Sequence, residues 1–192
     1  MEQPLGQQNL LLNSVNILLE SINELPIENE EDFEHILEAR IARDKIQEVK
    51  RAVLSEGWDF NTDENWNLSP QVTGEIPVPF NVLDVTADSS DIIVRDWRLY
   101  SKSKQTHIFD SAISCKVIWD MDFNGISHPL RHYITLRAAR VFQARWIGDK
   151  NMVVLTAEDE EIARIGARRS ESRTGQYNIL TSQYGQDNRV RT

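Results

Sequence analysis

Apolar residues recur at helical intervals towards both ends of the chain and at alternate positions in its middle. Leu11, Val15, Leu18 and Ile22 are spaced four, three and four apart, which predicts an amphipathic helix over residues 8–23 that stops before Pro26. Ala39, Ala42, Ile46, Val49 and Val53 repeat three-four-three-four, so a second helix is expected from about residue 31 to 56, with Gly57 as its stop. The longest such run is residues 127–148, SHPLRHYITLRAARVFQARWIG. Ser127 or His128 caps its start, Pro129 suits the first helical position, and Gly148 suits a left-handed end. Stepped around a helix, Leu130, Ile134, Ala138, Val141, Phe142 and Trp146 share one broad face, with Tyr133 at its edge. Arg131 and Arg145 fall on or beside that apolar stripe and need partners there, while Arg137 and Arg140 point elsewhere. A further helix opens at Thr156, followed by Glu158, Asp159, Glu160 and Glu161 in its first turn. Arg164, Arg168, Arg169 and Arg173 complement its later half, and its thin apolar stripe, Ile162 and Ile165, suits a surface element or one lying against another chain.

From Trp58 the period changes to two and glycine, proline and asparagine become common. Strands are expected over residues 58–61, 80–86, 92–100, 106–109 and 112–120, in hairpin order, with SKSKQ at 101–105 as an exposed turn. In the last strand Cys115, Val117 and Trp119 share one face and Lys116, Ile118 and Asp120 the other. Beyond Gly175 the sequence QYNILTSQYGQDNRVRT is polar and lacks helical periodicity, and it reads as an extended tail that takes its order from a partner. The pattern as a whole predicts an α+β fold. An antiparallel helical bundle of about four helices, residues 1–57 and 126–174, carries an inserted β-rich domain, residues 58–125, and an extended C-terminal tail, residues 175–192.

Composition narrows the function classes. No apolar run approaches the roughly 20 residues that span a bilayer, and the opening MEQPLGQQN lacks the basic-then-apolar pattern of a secretory signal. Assembly in a cytoplasm is expected, and the lone Cys115, without metal-ligand companions, reads as a small core hydrophobe in a reducing compartment. Residues 1–60 carry 13 acids and 5 bases, 61–127 carry 10 and 5, and 128–192 carry 7 and 11, which gives partial charges of −8, −5 and +4. An acidic body disfavours tight sequence-independent binding of nucleic acid and would let DNA slide past.

The chain lacks a Gly-rich phosphate loop, a G-x-S-x-G elbow and a Cys-x-x-Cys pair, so no catalytic, cofactor-binding or metal residue is assigned. His128 and His132 stand four apart, but His128 precedes a proline and no glutamate follows it as in H-E-x-x-H. The alternative to a structural role is hydrolysis of envelope glycans by loop carboxylates of the β-rich region, for which Glu64, Glu75, Asp84 and Asp96 are the residues to inspect.

In order and spacing, SVNILLESINELPI at 14–27, RAVLSEGWDFN at 51–61, FDSAI at 109–113, LRHYITLRAARVFQARWIGD at 130–149 and GQYNIL near the end resemble the tail tubular protein A family, the head-to-tail adaptors of short-tailed double-stranded DNA phages. The resemblance spans nearly the whole chain. It implies a virion tail protein that forms a homo-oligomer, a twelve-membered ring between the portal protein and a tail nozzle of tail tubular protein B type. Tail fibres are a further candidate partner, and genomic DNA would pass through the lumen without specific binding. On that reading the tail docks between portal subunits through Tyr177, Ile179, Leu180 and Tyr184, with Arg189 and Arg191 pairing with portal acids. Arg131 and Arg145 then become candidates for inter-subunit pairing with Glu34, Glu38 or Glu48.

Overall fold

The computed structural model describes residues 9–147 and 157–181, with backbone alone for residues 147 and 174–181. It divides into two compact units, one from residues 1–50 and 122–192 and the other from residues 51–121.

The first unit is helical. Helix α1 (Leu10–Glu20) begins where the Asn9 side chain accepts from the Leu12 amide at 3.1 Å, a local N-cap, and it buries Val15, Leu18 and Leu19. Asn16 fastens the returning chain by exchanging two bonds of 2.9 Å with the backbone of Ile27. The expected second helix is broken in two, α2 (Asp32–His35) and α3 (Leu37–Leu54), by Ile36 at φ −107° and ψ 116°. A β-branched residue adopts such an extended conformation readily. The break re-phases the chain, so that Phe33 on α2 and Ala39, Ala42 and Ile46 on α3 are all buried.

Helix α4 (His128–Ile147) packs against α1 and against α5 (Ala157–Thr181). It buries Leu130, Tyr133, Ile134, Ala138, Ala139 and Phe142, whereas Trp146 at its end is 42% exposed. Two polar links tie α4 to the α1 region, with Thr135 donating to the Ser14 hydroxyl at 3.0 Å and Gln143, fully buried, donating to the Ser21 carbonyl at 2.8 Å. On α5 the thin expected stripe lies at the surface, and smaller side chains make the buried face. Ala163 and Ala167 are the buried residues, and Ile162 and Ile165 are exposed. Small side chains let two helix backbones approach closely, and the isoleucines fall on the outer side. Helix α5 also continues through Gly175 to Thr181, so residues 175–181 are helical and not extended. A glycine within a helix costs only about 1 kcal/mol relative to alanine and is not by itself a stop.

In the second unit a three-stranded antiparallel sheet has the order β1 (Thr62–Leu68), β5 (Ile113–Trp119), β2 (Val82–Ala87), and β3 (Ile92–Arg95) and β4 (Arg98–Ser101) form a separate hairpin. Several expectations are corrected here. Residues 58–61 are not a strand, because Asn61 draws them into a short 3-10 turn. Its Oδ1 accepts from the Trp58 amide at 2.9 Å, while its Nδ2 donates to the carbonyls of Leu54 at 3.2 Å and Trp119 at 2.8 Å. The expected strand 92–100 folds back at Asp96 and Trp97, both at positive φ (51° and 57°), the geometry of a type I′ hairpin turn. Residues 106–109 form only isolated bridges. Strand order is not a succession of hairpins, since the last strand, β5, lies in the centre.

Leu68, Ile76, Val78, Val82, Leu99, Cys115 and Val117 make the core of this unit, and Trp119 packs at its margin. The β5 residues Cys115, Val117 and Trp119 therefore share the core face read from the sequence. Burial pushes the Cys115 thiol pKa up, with a smaller push from the Asp88 carboxylate, as suits an inert core side chain.

Candidate functional site

The helical unit keeps chemistry on its surface that its own core does not require. On α3 and α4, Ile41, Asp44, Lys45, Glu48, Phe142, Arg145 and Trp146 line a groove of about 250 Å³. Phe142 supports Trp146 ring against ring at 5.7 Å. Lys45, only 6% exposed, donates to Glu48 and holds its carboxyl below the usual carboxylate range, and the charge of Arg145 adds a smaller pull in the same direction. Glu48 and Arg145 are thus brought together within one subunit.

The other residues assigned to inter-subunit pairing are placed differently. Arg131 donates to the carbonyl of Ile126 and, at 3.4 Å, to that of Asn124, so it braces the turn that precedes α4. Glu34 accepts from Arg43 at 2.6 Å, and Glu38 is half-buried in the first turn of α3. Sequence reading missed the ion pairs that hold α5. Arg140 and Arg137, which point away from the apolar stripe, both reach Glu160, at 2.5 Å and 3.7 Å. Arg137 also donates to the Tyr133 hydroxyl at 2.9 Å. The acids in the first turn of α5 and the arginines one face away on α4 were the available signal. Along α5, Ile162 at 63% and Ile165 at 43% exposure stand among Arg164, Arg168 and Arg169.

Of the tail-docking residues, Tyr177, Ile179 and Leu180 belong to the backbone-only part of α5, and Tyr184, Arg189 and Arg191 lie outside the described residues.

The residues inspected for chemistry do not converge. Glu64 pairs with Lys116 at 2.8 Å, Glu75 with Arg98 at 2.6 Å, Asp84 accepts from the Thr86 hydroxyl at 3.0 Å, and Asp96 sits in the β3–β4 turn. His128 and His132 stack on one another with ring centres 6.3 Å apart. Among the described residues no group of three or more His, Cys, Asp or Glu could hold a metal ion, and no helix is long and apolar enough to cross a membrane.

A helical unit with uncovered apolar and charged faces, joined to a small antiparallel β unit, is the setting for the sequence comparison. Residues 12–177 match the tail tubular protein family, and the chain belongs to it. It is similar to tail tubular protein A of Klebsiella phage KP34, with 30% identity over 152 residues that cover 78% of this chain and 80% of that one. The protein is accordingly a structural component of a phage tail.

Proposed function

We propose that the protein is a ring-shaped adaptor that joins the portal to the tail nozzle and forms part of the channel through which DNA leaves the head. Family membership supplies the tail, and one structural observation carries the assembly. The helical unit has its own buried core, yet it keeps Trp146, Ile162 and Ile165 on its surface beside rows of charge. Large apolar side chains grouped on a small unit mark an interaction surface. In a closed ring the same two patches meet at every junction, so each subunit supplies both sides of the contact.

In this reading twelve copies assemble in the host cytoplasm. Of the inter-subunit pairing expected for Arg131 and Arg145 with Glu34, Glu38 or Glu48, the pair retained is Arg145 with Glu38 of a neighbouring copy, since Arg131 braces the turn before α4, Glu34 accepts from Arg43 and Glu48 is held by Lys45. The C-terminal segment docks on the portal through Tyr177, Ile179, Leu180, Tyr184, Arg189 and Arg191. The helical parts, residues 1–57 and 126–174, carry the ring, and residues 58–125 form the β-rich insert. The acidic composition, −9 overall, suits a wall that repels DNA phosphates and lets the duplex slide. No catalytic role is assigned.

Native mass measurement of the pure protein, and of its mixture with portal, is the test. A ring, or a monomer that assembles on portal, is the expected result. A strict monomer that ignores portal would overturn the proposal. Removing residues 175–192 should abolish portal binding, and undiminished binding would overturn the docking role.

A further inference from the structure

Strands β2 and β3 follow one another in sequence, linked only by Asp88–Ser89–Ser90–Asp91, yet they share no ladder. Each uses one edge. β2 pairs with β5 and β3 with β4, so the edges that face each other across the link carry no strand partner among the described residues. Between them lies a groove of about 610 Å³. Its lining includes every residue from Val82 to Ala87, from both faces of β2, together with Ile92, Ile93 and Val94 of β3. Consecutive residues of alternating orientation line a gap between strand edges, not a pocket on one face of a sheet. The Ile92 amide bonds the Ser89 carbonyl at 3.0 Å and closes one end of the gap, and Trp97, 63% exposed in the β3–β4 turn, stands at the other lip.

From this geometry we infer that the gap is a slot for one extended strand of a partner polypeptide, whose insertion joins the two sheets into one by pairing with β2 and β3 together. The occupant is not a folded strand of a second copy. A slot flanked on both sides needs a segment with both edges free, and each of β1 to β5 already uses at least one. Its chemistry follows from the walls. Val85, Ile92 and Val94 ask for apolar side chains at alternate positions, and Asp84, the only charged residue of the lining, asks for a basic one beside it. The whole unit agrees, with eleven acids against six bases between Arg51 and Met121. Asp84 and the irregular register between Val82 and Asp84 also blunt the β2 edge against unselective pairing. The inference does not depend on the ring reading.

The test is hydrogen exchange on the full-length protein with a capped Thr-Val-Lys-Val-Lys-Val-Thr peptide. Amides in residues 82–87 and 92–95 should gain protection together. The same peptide N-methylated at alternate residues, which cannot complete a ladder, should give none. Replacing its lysines by glutamate should weaken binding about twofold to fivefold, the scale of an exposed charge pair. Trp97→Ala should weaken it about fivefold or more, as loss of an aromatic anchor does. Val94→Thr on the same lip serves as a second variant should the first fold poorly. Protection of only one strand, equal protection by the N-methylated peptide, or protection that grows with protein concentration in the absence of peptide would each overturn the inference, the last by assigning the slot to a second copy.

Discussion

Arg140 donates to Glu160 at 2.5 Å, and Glu160 is thereby the point at which α4 holds the first turn of α5. Arg137 reaches the other oxygen of the same carboxylate at 3.7 Å, and the Glu160 side chain keeps only 16% of its exposure. One acid near a helix N-terminus thus satisfies two cations and the helix dipole together. Glu160→Gln should lower stability by about 1–2 kcal/mol, the range between an exposed pair and a charge-assisted bond. Limited proteolysis should then cut earlier within α5 than elsewhere. An unchanged cleavage pattern would mean that Ala163 and Ala167 hold the helix unaided.

A second prediction concerns the turn that replaces an expected strand. Asn61 is buried at 1% exposure and bridges three backbone groups, on Leu54, Trp58 and Trp119. Asn61→Ala leaves buried donors and acceptors unpaired, at a cost of about 2–3 kcal/mol. Asn61→Asp should do at least as much harm, because a carboxylate cannot donate to the two carbonyls. Urea midpoints of the three proteins decide this.

Gly74 adopts φ +82°, and a Cβ there would lie 2.8 Å from Ile108 Cγ2. Gly74→Ala therefore combines a left-handed backbone penalty of about 1 kcal/mol with a steric clash. The double variant Gly74→Ala/Ile108→Ala should recover the steric share and leave the backbone share. Additive losses in thermal unfolding, with no recovery, would show that the clash is relieved elsewhere.

The pH dependence follows from Glu48. Its folded-state pKa is depressed, first by the hydrogen bond from Lys45, so its contribution to stability is complete above the unfolded carboxylate value, about 4.3, and is lost as pH falls through the lower folded value. The stability difference between the native protein and Glu48→Gln should stay constant from neutral pH down to about 5 and shrink below about 4. An advantage that grew on acidification would contradict the assigned sign. Arg145→Glu, by contrast, should impair assembly more than folding at neutral pH, as read by native mass and by urea midpoint.

Helices were legible where large apolar residues made the stripe. Val15, Leu18 and Ile22 on one side and Leu130, Ile134 and Phe142 on the other are all buried at the expected spacing. Reading failed where packing used small residues or none. Ala163 and Ala167 carry the buried face of α5, which a search for isoleucine and leucine overlooks, and β1 is exposed over five consecutive residues, so it has no alternation to find. The Asp96–Trp97 turn was hidden because neither residue is glycine or asparagine, the usual marks of positive φ. Surface chemistry was less legible still. Arg131 stood out as a cation on an apolar face, but its partners are backbone carbonyls, which look alike at every position of a sequence.

The central position of β5 has a kinetic meaning. β1 and β2 each pair with β5 and not with each other, so neither has a sheet partner until Ile113–Trp119 has been synthesised. At a ribosomal pace of 5–20 residues per second, β1 waits roughly three to ten seconds for it. Only the β3–β4 hairpin can form from its immediate neighbours in that interval. A ribosome that stalls before Trp119 therefore releases a chain with two unmatched strands, and completion of the sheet is a single late event in the birth of each copy.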